Sequence, residues 1–198
     1  MNKAVFLDRD GVINELVYHQ EQEVIDSPFT IGQFKIIKAV PESLKKIQST
    51  GYLLILVSNQ PGVAKGQMSM AVFNKIKDKM NAELARAGVK LDAEYYCFHH
   101  PESKILKYKV DCNCRKPKPG MLLQASRDLH IDLEKSYMVG DNISDIKAGK
   151  DAGCYTVLIG KMKCGLCNIM NERGIKPDII ESNISEATEF ILSKKQYN

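Results

Sequence analysis

"FLDRDGVIN", residues 6–14, joins an apolar run to two aspartates, Asp8 and Asp10, that are separated by one residue. Gly11 follows at once and predicts a turn. An apolar strand that ends in acidic residues and a turn is typical of parallel α/β sheets, which bind ligands at the carboxyl ends of their strands. Two carboxylates at such an edge can hold a hard cation, and one can act as a nucleophile while the other moves a proton.

Two further strand ends favour this functional interpretation over a solvated acidic turn. The apolar run that begins at Tyr52 continues into the sequence SNQ, and the run that begins at Ser136 continues into GDNISD. Because parallel strands present their carboxyl ends at one edge, polar side chains from three strands are predicted to meet there. The residues that join the two aspartates at this edge are Ser58, Asn59, Gln60, Asp141, Asn142 and Asp145.

Apolar runs alternate with segments of helical period along most of the chain. This alternation predicts an α/β fold: a three-layer, Rossmann-like parallel sheet with helices on both faces and no large cap domain. The predicted strands cover residues 4–7, 52–57, 93–97, 136–139 and 155–159. The predicted helices begin at Pro41, after Ser69, near Pro119, near Ser144 and at about residue 184. Residues 15–40 and 98–118 fit neither period, and irregular segments of this length are typically functional.

Composition and charge narrow the function classes. With 198 residues, of which 44% are hydrophobic and 26% charged, the chain is predicted to form one soluble domain over residues 1–198. The net charge of +4 is mild and spread out, which suits an anionic small molecule and argues against a nucleic-acid partner. No secretory signal is visible, and the longest aliphatic run is far shorter than the roughly 20 residues that cross a bilayer. We therefore expect a cytoplasmic monomer with no membrane partner.

The sequence RKPKPG, residues 115–120, supplies the cations that an acidic site needs if it is to bind a phosphorylated substrate. Lys116 lies just before the helix predicted at Pro119, so its ammonium and the first N–H groups of that helix can face the same anion. A pair of cations is by itself more typical of a solvated loop, but the prolines and the position before a helix favour the functional interpretation. A kinase is not indicated, because the chain has no G-x-x-x-x-G-K-[ST] loop.

Two pairs of soft ligands bracket the irregular segment before this helix. Cys97 and His99 form one C-x-[HC] pair, and Cys112 and Cys114 form the other. Four such ligands predict a closed tetrahedral Zn²⁺ site that stabilises a loop over about residues 97–116, against the alternative of ordinary buried thiols. Spacing leaves His100 open as a substitute for His99. The other three cysteines lack a second ligand pair and are interpreted as structural: Cys154, Cys164 and Cys167.

In their order and spacing these motifs resemble those of the haloacid dehalogenase superfamily of phosphatases, over roughly residues 4–160. The resemblance implies that Asp8 attacks phosphorus and forms an aspartyl-phosphate, and that Asp10 protonates the leaving oxygen and then activates water. It also implies that Ser58 and Lys116 hold the phosphoryl oxygens. The implied Mg²⁺ ligands are Asp8, the Asp10 carbonyl and Asp141. For Asp145 three roles stay open, as a direct ligand, as an acceptor that contacts a ligand, or as a surface acid of the helix, and we favour the second.

The sequence YYCFHHP…CNCRKPKPGMLLQA further resembles the zinc-loop subgroup, which contains heptose-bisphosphate and histidinol-phosphate phosphatases. The subgroup implies zinc in the four-ligand cluster and substrate recognition by Arg115, and we add Asn59, Gln60 and Asn142 as predicted substrate contacts. The expected activity is Mg²⁺-dependent hydrolysis of a small sugar phosphate. The favoured substrate is heptose 1,7-bisphosphate, which would be converted to the 1-phosphate. Histidinol phosphate or another small phosphomonoester is the alternative substrate.

Two features depart from the heptose-specific pattern. Residues 15–40 form a longer segment that lacks the usual His-Gly-Tyr arrangement, and Asn142 stands where a lysine is usual.

A non-catalytic, zinc-stabilised binding module is the alternative from another class of function. That alternative predicts the loss of some acidic or lysine positions of the motifs, whereas all of them are present in this chain.

Overall fold

The computed structural model describes residues 1–160, 170, 172 and 174–193. Their strands are β1 (Ala4–Leu7), β2 (Val17–His19), β3 (Val24–Asp26), β4 (Leu53–Asn59), β5 (Ala93–Cys97), β6 (Tyr137–Gly140), β7 (Tyr155–Ile159) and β8 (Ile179–Glu181). Their α-helices are α1 (Val40–Ser49), α2 (Pro61–Ala64), α3 (Met70–Arg86), α4 (Gly120–Leu129), α5 (Ile143–Ala152) and α6 (Ile184–Ser193). Among the residues described, no helix is both long and apolar enough to cross a membrane.

The main sheet has six parallel strands in the order β5-β4-β1-β6-β7-β8. Side chains of β1 alternate between two apolar clusters, because successive residues of a strand point to opposite faces. Val5 and Leu7 pack in the cluster that includes residues of α1, α3 and α6, whereas Ala4 and Phe6 pack in the cluster that includes residues of α4 and α5. The predicted three-layer α/β fold with helices on both faces is confirmed.

The predicted boundaries of the regular elements are close to the observed ones. Ser69 accepts a hydrogen bond from the Val72 N–H and caps α3, while Pro41 lies in the first turn of α1. The strands that the sequence did not predict are β2, β3 and β8, each only three residues long and therefore too short to show a period. Residues 15–40 are thus not wholly irregular, because β2 and β3 pair as an antiparallel ribbon.

The register of the sheet brings the three polar strand ends together. Leu7, the last residue of β1, pairs with Leu56 of β4 on one side and with Val139 of β6 on the other. The Asp8 N–H continues this pattern by donating to the Val139 carbonyl at 3.0 Å. The side chains that follow β1, β4 and β6 therefore lie at one edge.

Two predictions are not tested by the described residues. The assignment of residues 1–198 to one domain stays a prediction, and Cys164 and Cys167 lie outside the described residues.

Candidate active site

Three carboxylates meet at the edge formed by β1 and β6. Each of Asp8, Asp141 and Asp145 offers an oxygen within 4.8 Å of the others. Two glycines make this approach possible. Gly11 has a φ of +81°, and a Cβ there would overlap the Asp141 carboxylate, while a Cβ on Gly140 would overlap Asp145. A larger side chain at either glycine would therefore push the acids apart.

Lys116 is the cation of this cluster, as the sequence predicts. Its Nζ lies 3.0 Å from Asp8 Oδ1 and 2.6 Å from Asp145 Oδ1. It also donates a hydrogen bond to the Val57 carbonyl at 2.8 Å. Burial acts to lower the pKa of Lys116, but Asp145 and Asp8 outweigh it and raise the pKa above its ordinary value. The side chain therefore stays charged and fixed beside Asp8.

Asp145 uses both of its oxygens inside the protein. Oδ1 contacts Lys116, and Oδ2 accepts the Asn142 N–H at 3.0 Å in a capping box at the start of α5. The carboxylates left to face a ligand are those of Asp8 and Asp141. This arrangement supports a positioning role for Asp145, in which it holds Lys116, while its direct or indirect contact with the metal stays a prediction.

The remaining acids carry more negative charge than the protein itself neutralises. Burial, with Asp145 and Asp10 nearby, raises the pKa of Asp8 to about 6 even though Lys116 opposes the shift. Burial, with Asp8 and Asp145 nearby, raises the pKa of Asp141 to about 8. Hard carboxylate oxygens are the ligands that Mg²⁺ prefers, and a divalent cation would offset this excess charge. The donor set therefore fits the predicted Mg²⁺ site.

Mg²⁺ should stabilise the protein more at pH 8 than near pH 5. In the metal-free protein the raised pKa values mean that the folded state binds protons more tightly than the unfolded chain, so stability from Asp8 and Asp141 falls as pH rises from about 4 to about 8. Mg²⁺ binds the ionised carboxylates and reverses this loss. Thermal unfolding with and without millimolar Mg²⁺ measures the effect, in buffers free of chelator so that zinc is retained. An equal rise in Tm at both pH values would count against the site.

Asp10 lies in a separate cradle of hydrogen-bond donors. Arg9 donates to both of its oxygens, with Nη2 at 3.0 Å from each. Asn14 Nδ2 donates to Oδ1 at 2.9 Å, and Gln60 Nε2 donates to Oδ2 at 2.7 Å. The guanidinium of Arg9 is fully buried and lies 5.9 Å from the centre of the Phe73 ring. The cradle holds the carboxylate in one orientation.

Sequence reasoning did not assign a role to Arg9 or Asn14. Both lie inside the FLDRDGVIN stretch, but an arginine between two aspartates is easily read as a solvated charge. Gln60, predicted as a substrate contact, is 1% exposed, and its amide also contacts Ser58 Oγ at 3.0 Å. The described partners of its side chain are thus two predicted catalytic residues, Asp10 and Ser58, so we interpret Gln60 as a positioning residue.

Asn59 holds the loop that carries Lys116. Its Nδ2 donates to the Lys116 carbonyl at 2.9 Å, and its Oδ1 accepts the Lys116 N–H at 3.0 Å. Asn59 therefore ties the end of β4 to the zinc loop.

The other two predicted substrate contacts also have partners within the protein. Arg115 donates through Nη1 to the His99 carbonyl at 3.1 Å, and Asn142 caps α5 by accepting the Ser144 N–H at 3.2 Å.

A cavity of about 300 Å³ opens over the acidic cluster. A neighbouring cavity of about 450 Å³ shares Arg115 and Lys116 but none of the clustered acids, so we place the site in the smaller one. Ser58 and Gln60 are not among the residues that line the smaller cavity. Of the predicted site residues, the smaller cavity is lined by Asp8, Asp10, Asn59, Arg115, Lys116, Asp141, Asn142 and Asp145. The ribbon side adds Leu16, Ile25, Asp26 and Ser27.

The four predicted zinc ligands form one compact cluster. Cys114 Sγ lies 3.1 Å from Cys97 Sγ, 3.2 Å from Cys112 Sγ and 3.4 Å from His99 Nδ1. Cys97 Sγ lies 3.7 Å from both Cys112 Sγ and His99 Nδ1. Sulfurs about 2.3 Å from a tetrahedral zinc ion lie about 3.8 Å apart, so the ligand set fits a closed Zn²⁺ site.

His99 rather than His100 belongs to this cluster. His100 Nδ1 instead accepts the Glu102 N–H at 3.1 Å. Cys154 is buried among apolar residues on the face of α4 and α5, which agrees with its interpretation as structural.

The double variant Cys112→Ser, Cys114→Ser should lose its zinc and become less stable and less active. Arg115 and Lys116 directly follow Cys114, so releasing the loop frees the backbone that positions both cations. We expect about one zinc per chain in the unaltered protein and none in the variant, with kcat/KM reduced roughly 10- to 100-fold. Elemental analysis and phosphate release measure the two effects. Cys154→Ser, at a buried cysteine outside the cluster, is the control and should keep its zinc. An unaltered protein that contains no zinc would contradict the proposed metal site.

Known proteins share both the sequence and the fold. Residues 113–187 match the family described as "HAD-hyrolase-like". A D-glycero-beta-D-manno-heptose-1,7-bisphosphate 7-phosphatase of Pasteurella multocida is 48% identical over 161 residues, which are 81% of this chain and 83% of that protein. The enzyme of the same name from Haemophilus ducreyi is 40% identical over 96% of this chain and 98% of its own.

A solved structure extends the likeness to three dimensions. The D,D-heptose 1,7-bisphosphate phosphatase of B. bronchiseptica, complexed with magnesium and phosphate, superposes with a TM-score of 0.77 at 28% identity. The match covers 97% of this chain and 99% of the other. These likenesses confirm the resemblance predicted from the motifs: the chain belongs to the haloacid dehalogenase-like family of phosphatases, in the branch that contains the heptose-bisphosphate phosphatases.

Proposed function

We propose that this protein is a Mg²⁺-dependent phosphatase that converts D-glycero-β-D-manno-heptose 1,7-bisphosphate to the 1-phosphate. The observation that carries the proposal is the buried Lys116, held 3.0 Å from Asp8 within a cluster of acids that lacks enough positive charge. Such a site suits a nucleophilic carboxylate and an anionic phosphoryl group. The names of relatives at 40–48% identity support the choice of substrate.

In the first half-reaction a bond forms between an Asp8 oxygen and phosphorus, and the bond from phosphorus to the sugar oxygen breaks. Lys116 and the Arg9 N–H both contact Asp8 Oδ1, at 3.0 and 2.7 Å, which fixes the orientation of the attacking carboxylate. Asp10 donates its proton to the leaving oxygen. Asp8, the Asp10 carbonyl and Asp141 would hold Mg²⁺, which would supply positive charge to the phosphoryl oxygens.

In the second half-reaction Asp10 takes a proton from a water molecule, and the water attacks phosphorus. The bond between phosphorus and the Asp8 oxygen breaks, which frees the nucleophile and releases phosphate. Lys116 holds phosphoryl oxygens in both steps, and Arg115 binds the part of the substrate that remains outside the acidic cluster. The donor cradle of Arg9, Asn14 and Gln60 orients Asp10 for both proton transfers.

The same proposal describes the setting of the reaction. The protein acts as a cytoplasmic monomer on a small phosphorylated sugar, without a nucleic-acid or membrane partner. The mild net charge of +4 supports an anionic small-molecule substrate.

A direct comparison of substrates tests the proposal. In Mg²⁺ buffer we expect kcat/KM for the heptose bisphosphate to exceed that for histidinol phosphate by about 100-fold or more. Phosphorus NMR should show that the phosphate on carbon 1 is retained. Faster hydrolysis of histidinol phosphate would overturn the substrate, and poor turnover of both esters would point to another small phosphomonoester. No phosphate release from any phosphate ester, with or without Mg²⁺, would favour a non-catalytic binding module.

A further inference from the structure

The β2–β3 ribbon forms one wall of the cavity over Asp8. Leu16, Ile25, Asp26 and Ser27 line that cavity together with Arg115 and the catalytic acids. Leu16 is 41% exposed and Ile25 is 65% exposed, so both present apolar surface at the cavity. The wall therefore offers the substrate an apolar surface beside a carboxylate.

The ribbon is held in a defined position relative to the catalytic residues. Asp26 pairs with Val17 in the ribbon, and the next residue, Ser27, accepts a hydrogen bond through its carbonyl from His19 Nε2 at 2.9 Å. The His19 ring stacks on Phe29 with 4.0 Å between ring centroids. Asn14, just before the ribbon, forms β-bridges to both Asp10 and Ile36. Asp26 is thus presented to the cavity by a braced element.

Asp26 is an acid without a cation in a cavity built for an anion. Its Oδ1 accepts the N–H of Ser27 at 2.7 Å and the hydroxyl of the same residue at 3.3 Å. Among the described residues, no lysine, arginine or histidine forms a salt bridge with Asp26, and its Oδ2 accepts no hydrogen bond. A carboxylate repels phosphate, so phosphate binding does not account for this placement. Its natural partners are neutral donors, and sugar hydroxyls are such donors.

The two apolar neighbours fit the same class of ligand. A sugar presents hydroxyl groups at its edges and C–H bonds on its faces, so a carboxylate beside aliphatic side chains can contact both. Leu16 and Ile25 supply the aliphatic contact, and Asp26 supplies the acceptor. Arg115, on the zinc loop, remains available for a negatively charged group.

We propose that Asp26 is a specificity-determining residue, which accepts hydrogen bonds from hydroxyl groups of the substrate's sugar. The inference rests on the proposed function, because it assigns a substrate contact at the same site. It predicts that the protein prefers phosphate esters of polyhydroxylated alcohols to esters of equal reactivity that lack hydroxyls.

Two variants of Asp26 and two substrates test the assignment. Asp26→Ala should reduce kcat/KM for the heptose bisphosphate roughly 10- to 100-fold, mainly through KM, because a hydrogen bond to a charged group is lost. Asp26→Asn, which keeps the shape but is a weaker acceptor, should give a smaller loss. Hydrolysis of p-nitrophenyl phosphate, which has no hydroxyl groups, should change less than about twofold in both variants. Glu21→Gln, an exposed acid in the turn of the ribbon, is the control and should change neither substrate.

The results separate this inference from the proposed function. Failure of the proposed function would appear in the unaltered protein, as no turnover of the heptose bisphosphate. The Asp26 variants would then be compared on the hydroxylated phosphate ester that the unaltered protein hydrolyses best. Equal losses on that ester and on p-nitrophenyl phosphate, or no loss on either, would overturn the role of Asp26. A loss confined to the hydroxylated ester supports it.

Discussion

Asp8→Asn should abolish phosphate release, with kcat reduced by roughly four to six orders of magnitude. An amide is too weak a nucleophile to attack phosphorus, and Asp145, the other acid beside Lys116, is held by the Asn142 N–H at the start of α5. The fold should survive. Burial raises the pKa of Asp8 to about 6, so the folded protein disfavours the ionised carboxylate, and a neutral side chain of the same shape removes that unfavourable charge. The Tm of the metal-free variant should therefore equal or exceed that of the unaltered protein.

Three measurements together make the Asp8 result decisive. Phosphate release reports the chemistry, thermal unfolding reports the fold, and elemental analysis should show the zinc content unchanged. Asp151→Asn, at an exposed aspartate of α5 whose described partner is Lys147, is the matched control and should retain full activity. Turnover that persists in Asp8→Asn with intact zinc would remove Asp8 from the role of nucleophile.

Lys116→Met should reduce both stability and activity. The ammonium is buried between Asp8 and Asp145, so its removal leaves two buried carboxylates without their cation. Breaking a buried ion pair from one side typically costs about 3–5 kcal/mol of the free energy of unfolding. Loss of a preorganised positive charge beside the phosphoryl group should lower kcat/KM by about 100- to 1,000-fold.

A second substitution separates the two effects of Lys116→Met. Adding Asp145→Asn removes one of the stranded charges, so part of the stability should return while activity stays low. Lys118→Met changes another lysine of the same loop, which is paired with exposed Asp111, and should alter neither property appreciably. If the double variant regained activity along with stability, Lys116 would be a structural residue rather than a phosphate ligand.

Local patterns were sufficient to predict five of the six strands of the main sheet and the polar residues that follow three of them. β1, β4 and β6 are apolar because they are buried on both faces, and the polar residues begin where that burial ends. The two ligand pairs of the zinc loop are equally local. β2, β3 and β8 were not predicted, because three residues are too few to show a strand period and pairing partners decide whether such segments become strands.

By itself, the sequence determined which side chains stand at the ends of the strands and in what order, since apolar runs, turns and motif spacing act over a few residues. The tertiary structure alone decided what those side chains hold. Asn59 binds the main chain of Lys116 across 57 residues, and Gln60 reaches Asp10 across 50. Asp26 likewise lines the cavity because the chain that leads into its ribbon is tied to Asp10 through Asn14. These contacts depend on the register of the sheet and the path of two loops, which no short stretch of sequence specifies.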